Sequence, residues 1–170
     1  MNSCRTLAFI NIPELGEFSE HEICYNETIS QLIEKILQSY QQPYSDSFRL
    51  YIADKMYTEL NPRSKCSIMI GIKSNQLILT KTQYRNITIY FENHRFVVPY
   101  DVSSRVIDFI DNVLHVLISE SVLQPKDLNE TFVLFDPKSD TILFTDKTLN
   151  ENSDFYILKR FEFIAPGITS

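Results

Sequence analysis

Three cysteines and three histidines are the side chains best suited to nucleophilic or acid–base chemistry: Cys4, Cys24, Cys66, His21, His94 and His115. A cysteine–histidine nucleophile pair requires hydrogen-bond contact between the two side chains. The histidines fall in different predicted elements, a strand, a turn and a helix face, which favours structural roles. Asp136 and Asp140 flank a predicted turn, where solvated carboxylates are usual. We therefore expect no catalytic residue.

Motifs that hold phosphates, metals or cofactors are absent from the sequence. There is no GxSxG, GxxxxGK[ST], HExxH or GxGxxG segment, and three glycines are too few for a phosphate-cradling loop. There is also no CxxC pair and no histidine at metal-ligand spacing. The sequence predicts a protein that is not an enzyme and has neither a cofactor nor a metal site.

The charge balance is acidic and uneven along the chain. The formal net charge is −6 at pH 7. Residues 1–82 hold eight basic and nine acidic side chains, whereas residues 83–170 hold eight basic and thirteen acidic ones. A protein that binds duplex nucleic acid needs basic side chains to replace phosphate counterions. Nucleic acid is therefore not an expected partner.

Cysteine number and hydropathy favour a cytoplasmic chain. An odd number of cysteines is unusual for a secreted disulfide framework. Residues 1–12 contain no uninterrupted apolar stretch of signal-peptide length. No apolar run approaches the roughly 20 residues that a membrane-spanning helix needs.

The first half has the element order hairpin, helix and short strands. Residues 6–12 and 18–25 are rich in β-forming side chains and flank a turn at 13–16. Thr28 and Gln31 form a predicted capping box, after which apolar side chains recur at helical spacing as far as Tyr40. Further strands are predicted at 48–52, 68–72 and 76–80, with a turn at 73–75.

The second half repeats this order. Strands are predicted at 86–91, 95–100, 131–135, 141–144 and 155–161. Ser103 or Ser104 is the predicted cap of a helix whose apolar stripe runs from Val106 to Leu117. A mixed sheet covered on one face by a single amphipathic helix is the β-grasp arrangement. The sequence predicts an α+β protein of two tandem ubiquitin-like β-grasp domains, residues 1–82 and 83–170.

The predicted connection between the two domains is short. It spans residues 82–86 and contains neither glycine nor proline. Such a segment does not behave as a long random coil. The sequence therefore predicts that the two domains do not move independently.

Two segments then resemble a known family. They are GIKSNQLILTKTQYRNITIYFENHRFVVPYDVSS (71–104) and LFTDKTLNENSDFYILKRFEF (143–163). Both are similar to the N-terminal part of talin heads, FERM-type regions that begin with two ubiquitin-like lobes. The resemblance covers nearly the whole chain with few identities. It implies a monomeric part of a cytoskeletal adaptor at the inner face of the plasma membrane, whose partners are the remaining FERM lobes, receptor tails and Rap-type GTPases.

The resemblance also implies a GTPase contact, for which Lys35, Arg95 and Arg105 are the candidate residues. β-Grasp domains that bind Ras-family GTPases present basic side chains to an acidic effector region, because complementary charge steers the encounter. Here the second predicted strand carries Glu20 and Glu22 instead. We expect the first domain to repel an acidic partner.

The end of the chain carries the one local cluster of basic and aromatic side chains: Lys159, Arg160, Phe161 and Phe163. Through the resemblance it is a docking strip for a third FERM lobe or for lipid, and otherwise it is the polar face of a last strand. We favour a covered edge, because the aromatic rings would otherwise be exposed. The turn at 135–141 lacks the basic insertion of talin's second lobe, so we expect at most weak membrane contact.

Two hypotheses about function remain open. In the first, the chain is the opening pair of lobes of a talin-like FERM adaptor that links membrane receptors to the actin cytoskeleton. In the second, it is a stand-alone tandem ubiquitin-like or Ras-association module that binds a small GTPase or another signalling protein.

Overall fold

Two separate mixed sheets, one in each half of the chain, form the framework of the protein. The computed structural model describes residues 4–70, 76–143 and 145–161. The chain divides into two compact units, Met1–Gln83 and Tyr84–Ser170.

Unit 1 has a five-stranded sheet with the order β2-β1-β5-β3-β4. Its elements are β1 (Arg5–Ile12), β2 (Glu17–Cys24), α1 (Ile29–Ser39), β3 (Arg49–Ala53), β4 (Tyr57–Glu59) and β5 (Gln76–Thr80). The hairpin β1–β2 is antiparallel, and β1 pairs in parallel with β5. Strand β5 is central to this sheet, and β2 and β4 are its edges.

The helix α1 begins at the predicted capping box. The Thr28 hydroxyl accepts a hydrogen bond from the Gln31 amide at 3.1 Å, and the Gln31 side chain accepts one from the Thr28 amide at 2.8 Å. The buried side of α1 faces the sheet and consists of Ile29, Leu32, Ile33, Ile36 and Leu37. Full burial of one such side chain contributes about 1.5–3 kcal/mol, so this stripe holds the helix on the sheet.

The predicted strand at 68–72 is wrong within the described residues. A 3₁₀ helix spans Cys66–Met69 instead. The amide of Cys66 donates to the Glu27 carbonyl at 2.8 Å, and its side chain belongs to the core of unit 1, while Ile68 and Ile70 remain exposed. The short strand β4 was not predicted, and the turn expected at 73–75 lies outside the described residues.

Unit 2 repeats the topology, with the strand order β7-β6-β10-β8-β9. Its elements are β6 (Tyr84–Phe91), β7 (His94–Asp101), α2 (Val106–Ser119), β8 (Phe132–Asp136), β9 (Thr141–Ile142) and β10 (Phe155–Arg160). A 3₁₀ helix, Pro125–Asn129, precedes β8. The core lies between α2 and one face of the sheet. The strand predicted at 141–144 is two residues long here, and Phe144 lies outside the described residues.

The predicted serine cap of α2 is wrong. The residue at the cap position is Arg105, and no side chain caps the helix. The first two helical amides, of Val106 and Ile107, instead donate to the carbonyls of Lys147 at 2.7 Å and Thr145 at 3.0 Å. These backbone acceptors satisfy the first two amides of α2, as the carbonyls of Ser64 and Pro62 do for Ile29 and Ser30 at the start of α1.

The α+β class and the two tandem β-grasp-like domains are thus confirmed. Each sheet is mixed and five-stranded, and each is covered by one helix among the described residues. No described helix has the length and apolar content to cross a bilayer.

Candidate interaction surfaces

Ser19, His21 and Tyr40 form a three-residue polar cluster that could suggest catalysis. Both β2 side chains reach the hydroxyl at the end of α1: Ser19 Oγ lies 2.5 Å and His21 Nε2 3.0 Å from Tyr40 Oη. Ser19 Oγ also lies 3.1 Å from His21 Nε2. Burial, and next the charge of Lys35, lower the pKa of His21 below its ordinary 6.5.

A serine nucleophile works with a histidine whose second nitrogen is held by a carboxylate. No described carboxylate hydrogen-bonds to the other ring nitrogen of His21. The neutral ring instead joins the edge strand to the helix end. A groove of about 370 Å³ lies beside it, between β2 and α1, and is lined in part by His21, Cys24 and Ile36. We assign this cluster a structural role.

The remaining reactive side chains are dispersed. His94 stacks on Phe96 with 6.0 Å between ring centroids, and His115 Nδ1 lies 2.7 Å from the Asp111 carbonyl oxygen. All three cysteines are free, and burial raises the pKa of Cys66 to about 11. In the described part of the chain, no group of three or more His, Cys, Asp or Glu side chains could hold a metal ion.

The three GTPase-contact candidates lie on different elements of the two units. Lys35 belongs to unit 1 and is paired with Glu27 at 2.7 Å. Arg105 stands at the start of α2, beside Asp108 at 3.2 Å. Arg95 lies on β7, on the face of the sheet away from α2, because its partner Tyr90 is exposed there while the neighbouring pair Ile89 and Phe96 faces the core. Their role in a GTPase contact stays a prediction.

The basic and aromatic cluster at the end of the chain is divided between two sides of β10. Arg160 bridges Glu92 at 2.6 Å and Glu130 at 2.7 Å and lies over the Phe91 ring. Lys159 points to the opposite face, where its ammonium lies 4.3 Å from the Phe135 ring centroid. Phe161 is 46% exposed, and Phe163 lies outside the described residues. Arg160 therefore serves the fold, whereas Lys159 and Phe161 are available to a partner.

The outer face of the unit 1 sheet, away from α1, is apolar and acidic. Phe9 and Phe18 stack with 5.5 Å between centroids, and Phe18 is 59% exposed. Glu20 lies opposite Phe9, and Glu22, which lies opposite Leu7, is paired with Arg5 at 2.7 Å. A pocket of about 250 Å³ adjoins Phe18. The expectation that unit 1 repels an acidic partner stays a prediction.

The outer face of the unit 2 sheet carries a stripe of side chains that crosses all five strands. In strand order it consists of Arg95, Tyr90, Ile157, Phe135 and Ile142, each paired with the next in the sheet register. We call these five residues the outer stripe. The outer stripe was not predicted from the sequence. A signal was present in β10, where four consecutive apolar residues, Phe155 to Leu158, indicate a strand that is apolar on both faces.

Two polar residues have structural contacts that were not predicted from the sequence. Asp136 was expected in solvent but is only 3% exposed, because the amide of Lys138 and the hydroxyl of Ser153 donate to its carboxylate. Arg85, at the junction, donates to the carbonyls of Asn150 at 2.6 Å and Ser153 at 2.9 Å. Both residues fasten the loop before β10 to the sheet of unit 2.

Comparison with known proteins adds no family assignment. No protein-family model matches the chain, and no curated protein sequence matches it significantly. The architecture of the two units and their surface chemistry therefore carry the functional argument.

Proposed function

We propose that this chain is a non-enzymatic protein-interaction module that forms the two N-terminal lobes of a talin-like FERM adaptor. The observation that carries the proposal is the β-grasp strand order, which occurs twice in succession. Only Lys81, Thr82 and Gln83 separate the last strand of the first sheet from the first strand of the second. Paired ubiquitin-like lobes at the start of the region are the feature through which the sequence resembles talin heads.

The side chains of both units support binding rather than catalysis. The Ser19–His21–Tyr40 cluster lacks an orienting carboxylate among the described residues, and His94 and His115 pack against an aromatic ring and a backbone carbonyl. Both sheets, by contrast, expose aromatic side chains on the face opposite their helix. Exposed apolar surface of this kind marks sites of association.

In this proposal the chain works in the cytoplasm, where the adaptor links receptor tails at the membrane to actin. The test is proximity labelling with a biotin ligase fused to the native polypeptide that carries the chain. Enrichment of membrane-receptor and actin-associated proteins over a free-ligase control is expected. Enrichment of neither class would overturn the adaptor proposal.

Direct binding of a Ras- or Rap-type GTPase is the alternative function, and the charges of unit 1 weigh against it. Glu20 and Glu22 occupy the edge strand, where Glu22 is paired with Arg5, and Lys35 is already paired with Glu27. Titration calorimetry of the purified chain with GTP-loaded Ras and Rap proteins tests for this contact. Binding that is lost when Lys35, Arg95 and Arg105 are changed to Glu would establish a direct GTPase contact through these residues, and the absence of binding would refute it.

A further inference from the structure

The outer stripe of unit 2 belongs to a wider apolar face. Phe155, Val97 and Val133 lie on the same side of the sheet, next to the stripe in the strand register. Tyr90 is 40% exposed, Phe155 39% and Ile142 52%. The Tyr90 and Phe155 rings meet edge to face, with 6.2 Å between centroids. Contiguous exposed apolar surface of this kind is typical of an interaction site.

The charge on this face is opposite to that of its surroundings. Residues 83–170 hold thirteen acidic and eight basic side chains. On the outward positions of the described strands of unit 2, however, the charged side chains are Arg95, Lys159 and Asp101. Asp101 lies at the far end of β7, where its carboxylate accepts hydrogen bonds from the amide and hydroxyl of Ser103.

The two cations are open to a partner. Arg95 and Lys159 are exposed, and neither forms an ion pair with another residue in the described ranges. Lys159 lies over the ring of Phe135, within the outer stripe, and Arg95 stands at the end of the stripe on the edge strand β7. A partner that crosses the stripe meets aromatic surface between two positive charges.

We propose that this face binds an acidic protein segment that also carries aromatic or aliphatic side chains. Its carboxylates pair with Arg95 and Lys159, and its apolar side chains pack on Tyr90, Phe155 and Ile142. Such complementarity steers the encounter and fixes the orientation of the partner. A bilayer matches this face less well, since sites for anionic lipid have clusters of about four to eight basic side chains. The proposal deepens the protein-interaction function and rests on it.

Selection of peptides from a phage-displayed random library on the full chain tests this assignment. We expect the enriched peptides to combine Asp or Glu with aromatic or aliphatic residues. Fluorescence anisotropy then gives the Kd of one selected peptide for the wild type and for the variant Arg95→Glu/Lys159→Glu. A rise in Kd of about tenfold or more is expected, because each reversal replaces an attraction of a few tenths to 1 kcal/mol by a repulsion.

A matched control is Arg63→Glu/Lys126→Glu, which makes the same change in net charge at exposed positions elsewhere on the chain. It should leave the Kd within about twofold of wild type. Circular dichroism verifies folding, and Arg95→Gln/Lys159→Gln repeats the measurement without charge reversal if the first variant unfolds.

The outcomes separate this assignment from the proposed function. Selected peptides that bind equally to the Glu and control variants would overturn the site and leave the interaction module standing. Enrichment of basic peptides would overturn the partner chemistry. Failure to enrich any peptide, together with binding of phosphatidylserine vesicles that requires Arg95 and Lys159, would replace the protein partner by a membrane.

Discussion

Arg85→Ala is expected to lower the free energy of unfolding of unit 2 by about 2–4 kcal/mol. The guanidinium group donates short hydrogen bonds to the Asn150 and Ser153 carbonyls, at 2.6 and 2.9 Å, and a long one to Glu151 at 3.4 Å. Hydrogen bonds to a charged group contribute about 1.5–3 kcal/mol each. Because Arg85 is partly exposed, we count the two short bonds near the lower end of that range.

Contact with an aromatic ring adds a smaller contribution. The guanidinium carbon of Arg85 lies 5.8 Å from the centroid of the buried Tyr100 ring, and such a contact is worth about 0.5–1 kcal/mol at a partly exposed site. For a domain of this size, 1 kcal/mol shifts Tm by about 4–8 °C. A decrease in Tm of about 10 °C or more is therefore expected.

The assay is urea unfolding followed by tyrosine fluorescence, which suits a chain without tryptophan. Hydrogen exchange then localises the effect, since amides of unit 2 should lose protection while those of unit 1 keep theirs. Arg95→Ala is the matched control, because this exposed arginine has no ion pair with a described residue and should change stability by less than about 0.5 kcal/mol. Equal effects of the two substitutions would refute the role given to Arg85.

Three further predictions concern buried or partly buried groups. Because burial raises the pKa of Cys66 to about 11, iodoacetamide at pH 8 should modify exposed Cys4 rapidly and Cys66 only in urea, as read by mass spectrometry; equal native rates would contradict this. Burial lowers the pKa of His21 in the folded state, so the unfolded chain binds the proton more readily. The contribution of the neutral His21 to the free energy of unfolding is fully present above pH 6.5, the ordinary pKa. It is lost as the pH falls from 6.5 through the lower pKa of the folded state. Urea unfolding of His21→Gln should therefore show a weaker loss of stability between pH 7.5 and 5 than the wild type, and identical pH profiles would disprove the assignment. Tyr100→Phe should cost about 1.5–3 kcal/mol in urea unfolding, because the hydroxyl donates to the Ser104 carbonyl and accepts from the buried Leu149 amide; a cost below 0.5 kcal/mol would show that water replaces both bonds.

Features that depend on neighbouring residues could be predicted from the sequence. The capping box of Thr28 and Gln31 and the apolar spacing of α1 are local, and the structure has both. The strands rich in β-forming side chains, such as β1 and β5, also lie where they were expected. Each of these patterns involves only residues that are close in the sequence, so it can be recognised without knowledge of the fold.

Features that depend on distant backbone could not be predicted. β-Forming residues at 68–70 suggested a strand, yet the amide of Cys66 pairs with the carbonyl of Glu27, far away in sequence, and a 3₁₀ helix results. Asp136 lies in a turn, which predicts that its carboxylate is exposed to solvent. The hydroxyl that donates to this carboxylate belongs to Ser153, which lies 17 residues later in the loop before β10. In both cases the deciding partner is brought close only by the sheet topology.

The surfaces were partly foreseen. Lys159 was a candidate contact and does point outward, but the sequence grouped it with Arg160, whose charge is used by Glu92 and Glu130. Adjacent residues in a strand face opposite sides of the sheet. A cluster that is continuous in sequence is therefore divided in space, and the outer stripe, assembled from five strands, has no continuous counterpart in the sequence.

The starts of the two helices have a consequence for biosynthesis. Thr28 caps the Gln31 amide of α1 locally, but the first two amides of this helix, of Ile29 and Ser30, donate to the carbonyls of Ser64 and Pro62, which are synthesised more than 30 residues later. The amides of Val106 and Ile107 likewise lack their hydrogen-bond acceptors until Lys147 and Thr145 have been synthesised. At a synthesis rate of about 5–20 residues per second, the roughly 40 residues between Val106 and Lys147 take about 2–8 s to emerge. During that interval the start of α2 lacks its backbone acceptors and the apolar stripe of this helix is exposed, so the nascent second unit offers a binding site to a chaperone.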